Sequence, residues 1–165
     1  GSYKRPNVLS QELRLSCSHY TPMDADSIPT GEIRDVTETA FDFRQMKAIG
    51  RDINCADTQI ELANGGYDHN FCIDSDTQGA FATAYDPESG RVMEVTTDMP
   101  GVQFYTGNFL NNIPGKGGTL MNKHAGFCLE TQFYPDSPNR PNFPPCIFKA
   151  GETFRSRTSF KFSVK

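Results

Sequence analysis

The chain has 165 residues, 36% of them hydrophobic, and a formal net charge of -4. A chain of this length is long enough for one domain that buries about 70% of its unfolded surface. The 16 Lys and Arg residues are scattered, which leaves no basic face for a phosphate backbone and argues against nucleic acid as a partner. A small neutral or polar ligand fits better.

The polar start GSYKRPN lacks the charged and apolar regions of a signal peptide. No run approaches the ~18 consecutive apolar residues that would span a bilayer, so a soluble protein without a membrane partner is expected. Cys17, Cys55, Cys72, Cys128 and Cys146 are widely spaced, odd in number and free of any CxxC pair. Neither a disulfide framework nor a zinc site is signalled. Reduced and mostly buried thiols are expected, which suits a cytoplasmic location, and there is no Asn-x-Ser/Thr acceptor to suggest secretion.

Fourteen glycines, eleven prolines and thirteen phenylalanines, with few stretches of helical period, predict an all-β chain of short strands and turns. In QELRLSC, Leu13, Leu15 and Cys17 fall on one side of a strand. TPMDADSIPTG reads as a loop. Only FDFRQMKAIGRDI, around residues 41 to 53, has a pattern that could hold a helical turn or two. FATAY and RVMEVTTD read as two strands around a turn holding Pro87 and Gly90. NNIPGKGGT reads as a loop, and the proline-rich 137 to 145 segment as an ordered cover over one end of the sheet, since proline cannot donate to a ladder. The closing SFKFSVK places Phe160, Phe162 and Val164 at period two, a strand with one buried face. With no internal repeat or composition shift, residues 1–165 read as a single domain.

Four places could carry chemistry. In GFCLETQFYP, strand alternation puts Gly126, Cys128, Glu130 and Gln132 on a small and polar face, opposite Phe127, Leu129 and Thr131. Glu130 is therefore either solvated or the floor of a cleft, where desolvation would make it a better base. In YDHNF, Asp68, His69 and Asn70 either form a hydrogen-bonded corner or offer Asp68 to sugar-like hydroxyls and His69 as a proton carrier. Gln103, between Val102 and Phe104, is a solvated strand residue or an amide of a sugar pocket. His124 and His19 read as solvated or locally bonded. No metal-ligand spacing such as HExxH is present, and GKGGT lacks the order of a phosphate loop, so neither a metal nor a cofactor is expected.

YDHNF, SGRVMEVTTDMPGVQFYTGNFL, HAGFCLETQFYPDSPNRPNFPP and GETFRSRTSFKFSVK, in this order, resemble the C-terminal half of the aldose 1-epimerase (galactose mutarotase) family. YTPMDADSIPTGEIRDVTETAFDFR resembles the same family just upstream, so the likeness runs from about Asn7 to the last residue. The resemblance implies part of a large antiparallel β-sandwich, the galactose mutarotase-like supersandwich, and interconversion of the α and β anomers of free aldoses such as galactose and glucose. It implies Glu130 as the general base, with Asp68 and Gln103 in the sugar pocket. It carries no catalytic role to His69 or Asn70.

The sequence departs from the family pattern at one point that matters. The family's general-acid histidine lies in an NHSYFNL-like motif, preceded by a further histidine and an arginine that hold the sugar. Ser2 and Tyr3 resemble the end of that motif, but Gly1 stands where its histidine would be, and residues 1–6 read equally as a cloning remnant or a disordered stub. Two expectations follow: a portion of an epimerase that needs the N-terminal half, or another copy, as a partner; or a non-catalytic sugar-binding or structural β-domain.

Overall fold

The computed structural model describes residues 6–165, and the readings made at Gly1, Ser2 and Tyr3 lie outside the described residues. The strands in chain order are β1 (Glu12–Leu15), β2 (His19–Thr21), β3 (Arg34–Asp35), β4 (Lys47–Ala48), β5 (Asp68–Cys72), β6 (Ala82–Tyr85), β7 (Arg91–Thr97), β8 (Gly101–Tyr105), β9 (Ile113–Pro114), β10 (Leu120–Met121), β11 (Cys128–Gln132) and β12 (Thr158–Val164). Among the described residues one short α-helix, α1 (Thr58–Leu62), lies between β4 and β5, and 3-10 turns occur at Lys116–Gly118 and Ser137–Asn139. Among the described residues no helix is long and apolar enough to cross a membrane.

The strands form two five-stranded sheets, β12-β7-β6-β1-β4 and β11-β8-β5-β2-β3, with a separate β9-β10 ribbon. All pairings are antiparallel. Period-two alternation aims one side of each sheet at the other. Leu13 and Leu15 of β1, Ala82 and Ala84 of β6 and Val95 of β7 meet Tyr20, Phe71, Val102 and Phe104 of the second sheet in one buried cluster. The all-β sandwich expected from the sequence is the fold observed.

The segment between β3 and β5 plugs the core with Phe41, Phe43, Ile49, Ile53 and Ile60. Tyr20 stacks on Phe41 at 4.1 Å and Tyr67 on Phe104 at 5.2 Å, while Phe43 meets Phe104 edge-on at 5.4 Å. Such ring pairs each contribute about 0.5–1.5 kcal/mol beyond their burial. Lys47 is carried inside with them at 4% exposure. Its Nζ donates to Ala40 O and Asp52 Oδ2, both at 2.7 Å, and sits 4.0 Å from the Phe43 ring. Burial pulls the Lys47 ammonium below its usual range, and Asp52 partly offsets that.

Several expectations hold in detail. β1 buries Leu13 and Leu15 fully, and β6 and β7 flank the predicted turn, where Gly90 adopts a positive φ of 70°. The 137–145 segment contains no strand and acts as a cover: Phe143 packs with Tyr134 and Cys72, while Arg140 Nη2 and Asn142 Nδ2 donate to Pro29 O and Gly31 O.

Others are corrected. The helix is not in residues 41–53, which carry bends and β4, but at Thr58–Leu62. There Asp57 caps it by accepting from the Gln59 and Ile60 amides, whereas Phe41 and Phe43 alternate at period two and both enter the core. The 111–119 loop includes β9, and β10 follows it to complete a small ribbon. Only Cys17 and Cys72 are buried, with Cys146 intermediate and Cys55 and Cys128 exposed.

β12 forms, but its apolar side is not buried: Phe160 is 50% exposed, and Phe162 and Val164 are 73% exposed. The reason is its place in the sheet. β12 pairs along β7 as the edge strand, with Phe160 opposite Val95, and Phe127 and Leu129 face its apolar side from across. A groove of about 400 Å³ is left between them, lined also by Val92, Met93, Phe160 and Phe162. Thr131 of β11 bridges the two edges by hydrogen bonding to the Thr158 hydroxyl at 2.7 Å.

A candidate sugar-binding face

The second sheet has one side in the core and one side polar. Antiparallel register aligns Thr21 with Asn70, Asn70 with Gln103, and Gln103 with Glu130, so these four side chains form one row across β2, β5, β8 and β11. Below it Asp68 lies opposite Tyr105, which lies opposite Cys128. Above it Cys72 lies opposite Gly101, which lies opposite Gln132. The sequence-predicted residues Glu130, Asp68 and Gln103 are thus brought to one face of one sheet.

Their contacts form a directed chain. Gln103 Nε2 donates to Asp68 Oδ1 at 2.9 Å. Gln132 Nε2 donates to Gln103 Oε1 at 3.0 Å and to Asn70 Oδ1 at 3.2 Å. Asn70 is 2% exposed, as is Thr21 beside it. Asn70 Nδ2 and Thr21 Oγ1 have no hydrogen-bond partner among the described residues. Unpaired buried polar atoms are uncommon and costly, and these two belong to register partners.

Glu130 is exposed, and Asp68 and Gln103 are half-buried. Of the two expected positions, Glu130 takes the solvated one, on an open polar face of the sheet. Cys128, two positions earlier on the same face, has its thiol pushed above the usual range by desolvation, and then by the charge of Glu130 and a hydrogen bond to that carboxylate.

The proton-carrier reading of His69 is overturned. Alternation turns it away from Asp68 and into the core at 1% exposure, edge-on to Tyr20 and Phe41. Its Nδ1 accepts from the Asp68 amide, so Nε2 carries the proton, 3.2 Å from Gln59 Oε1. Burial drives its pKa down to about 3, so the ring stays neutral and structural. His124 is locally bonded as expected: it is 9% exposed, with Nδ1 2.9 Å from Thr106 O. Among the described residues no group of three or more His, Cys, Asp or Glu side chains is placed to hold a metal ion.

Sequence reasoning gave no place in the sugar pocket to Thr21, Asn70 or Gln132. Gln132 was already on the face of Glu130 by alternation, but its partners lie 29 and 62 residues away, and no local pattern reveals them.

The family model for aldose 1-epimerase matches residues 2–161. The galactose mutarotase of Bos taurus is 45% identical over 161 residues, covering 96% of this chain and 45% of the relative. The aldose 1-epimerase of Haemophilus influenzae is 37% identical over 158 residues, covering 94% of this chain and 46% of the relative. Among solved structures, an aldose epimerase homologue from C. elegans superposes with a TM-score of 0.85 at 25% identity, covering 97% of this chain and 47% of that one. Galactose 1-epimerase from Lactobacillus acidophilus gives 0.75 at 26% identity, with 96% and 45% covered. The chain spans about half the length of the relatives it matches. By family model, relatives and fold together, the chain belongs to the aldose 1-epimerase family.

Proposed function

We propose that this chain supplies the general base and part of the sugar pocket for interconverting the α and β anomers of free aldoses such as galactose and glucose. The observation that carries this reading is the row in which Glu130 lies directly opposite Gln103 and Gln103 is bonded to Asp68, in a member of this family.

Glu130 removes the proton from the C1 hydroxyl while an acid delivers one to the ring oxygen. The ring opens, the C1–C2 bond rotates, and closure on the other face gives the second anomer. Asp68 accepts from sugar hydroxyls and Gln103 donates to them. The acid is not His69 or His124, whose rings are committed inside the chain. The resemblance implies that it stands in a histidine motif this sequence does not contain. The portion of the family's length that this sequence does not span, bearing that motif, is what this reading requires beside it, and that portion would enclose the exposed carboxylate.

The test mixes this chain with the portion of a relative that it does not span, and follows α-galactose by polarimetry. Activity is expected only in the mixture, and Glu130→Gln is expected to slow it by roughly 100- to 10,000-fold. An unchanged rate with Glu130→Gln would remove the base from Glu130.

The exposure of Glu130 favours a second reading, a non-catalytic carbohydrate-binding β-domain. It predicts galactose binding by this chain and no mutarotation in the mixture.

A further inference from the structure

We propose that Gln132 is a positioning residue that decides which end of the Gln103 carboxamide faces Asp68. The inference rests on the reading of this face as a sugar site and assigns the device that presets its donor and acceptor.

A carboxamide can be turned over with little change of shape, so its orientation must come from its neighbours. Gln132 uses one amide donor on Asn70 Oδ1 and another on Gln103 Oε1. That commits the Gln103 oxygen to Gln132 and its NH2 group to Asp68 Oδ1. Turned over, Gln103 would set its oxygen against the Asp68 carboxylate and its NH2 against the NH2 of Gln132, losing both bonds. Asn70 anchors this chain from a fully packed position.

Gly101 makes the reach possible. It sits between Cys72 and Gln132 in the register, and a Cβ there would collide with Asn70 Oδ1 and would lie 2.9 Å from the Tyr134 ring. The missing side chain is the lane by which Gln132 crosses β8 to meet Asn70. The second N–H of Gln103 and Asp68 Oδ2 have no protein partner among the described residues. Together they form a donor beside an acceptor, matched to a hydroxyl that must both accept and donate.

The test uses the ¹⁵N-labelled chain, recording side-chain amide resonances without ligand and then during titration with galactose. Gln132→Glu offers only acceptors to Gln103 and should draw its NH2 away from Asp68, shifting the Gln103 NH2 resonances. The neutral Gln132→Met should leave Asp68 alone to hold that amide, loosening it and broadening the same resonances. Loss of a hydrogen bond to a charged group predicts galactose affinity at least about 10-fold weaker in Gln132→Glu. Gln103 resonances unchanged in both variants would overturn the proposal. Absence of any galactose response in wild type mixed with the portion of a relative that it does not span would sink the sugar reading instead, and the ligand-free spectra would still decide the role of Gln132.

Discussion

At the scale of single residues, adjacent positions on one strand meet opposite fates. Asp68 and Asn70 lie on the polar face of β5, Asn70 covered there, while His69 between them is sealed among aromatic rings of the core. Because burial holds the folded His69 at about 3 against about 6.5 in an unfolded chain, only the unfolded state takes up its proton between those values. Stability from this residue is complete above pH 6.5 and falls as pH drops toward 3, by at most about 1.4 kcal/mol per pH unit. Urea unfolding at pH 7.5, 5.5 and 4.5 should therefore show a steeper acid loss in wild type than in His69→Gln. Equal slopes would mean that the imidazole is not held neutral.

At the scale of elements, backbone fit decides more than composition. α1 has five residues, too few to persist on helix propensity alone. It is held by its cap, where Asp57 Oδ1 accepts from the Gln59 amide at 2.7 Å, and by Gln59, which exchanges bonds with both backbone groups of Met23. Asp57→Ala should cost about 1 kcal/mol in denaturant unfolding. β8 depends on the absence of a side chain at Gly101. Gly101→Ala forces Asn70 or Tyr134 to move and should destabilise by about 1–3 kcal/mol, with loss of galactose binding larger than in Asp57→Ala. A Gly101→Ala protein as stable as wild type would show that the crossing has slack.

At the scale of the whole molecule, the sandwich is closed through its middle and open at one edge. Phe160 and Phe162 of β12 line a groove whose apolar character is that of an interaction surface, and Val164 and Ile147 add exposed apolar surface at 73% and 74%. The two-residue strands β3 and β4 end the opposite edges of the sheets. The chain alone should self-associate in light scattering, and Phe160→Lys with Phe162→Lys should shift it toward monomer without unfolding it. A wild-type chain that stays monomeric at high concentration would show that this surface is tolerated bare.

Much of the fold was legible because alternation is local. QELRLSC, FATAY and RVMEVTTD each declare a strand and its inner face within a few residues, and GFCLETQ declares that Glu130 and Gln132 share a side. The misplaced helix arose where the sequence between Phe41 and Ile53 mixes spacings, and its apolar residues are satisfied in bends by a core built from distant strands. The buried face expected for SFKFSVK failed for a related reason: period two names the apolar side of a strand and says nothing of whether another layer lies across from it.

The sequence by itself determined the strand character, the polar face bearing Glu130 and, through long matching motifs, the family. Only the tertiary structure decided that Glu130 stands opposite Gln103, that Gln132 reaches over Gly101 to Asn70, that His69 is a core residue, and that β12 is left uncovered. Alternation is set by the geometry of one strand, whereas register, neighbours and coverage are set by segments tens of residues away that must pack together before any of these contacts exists.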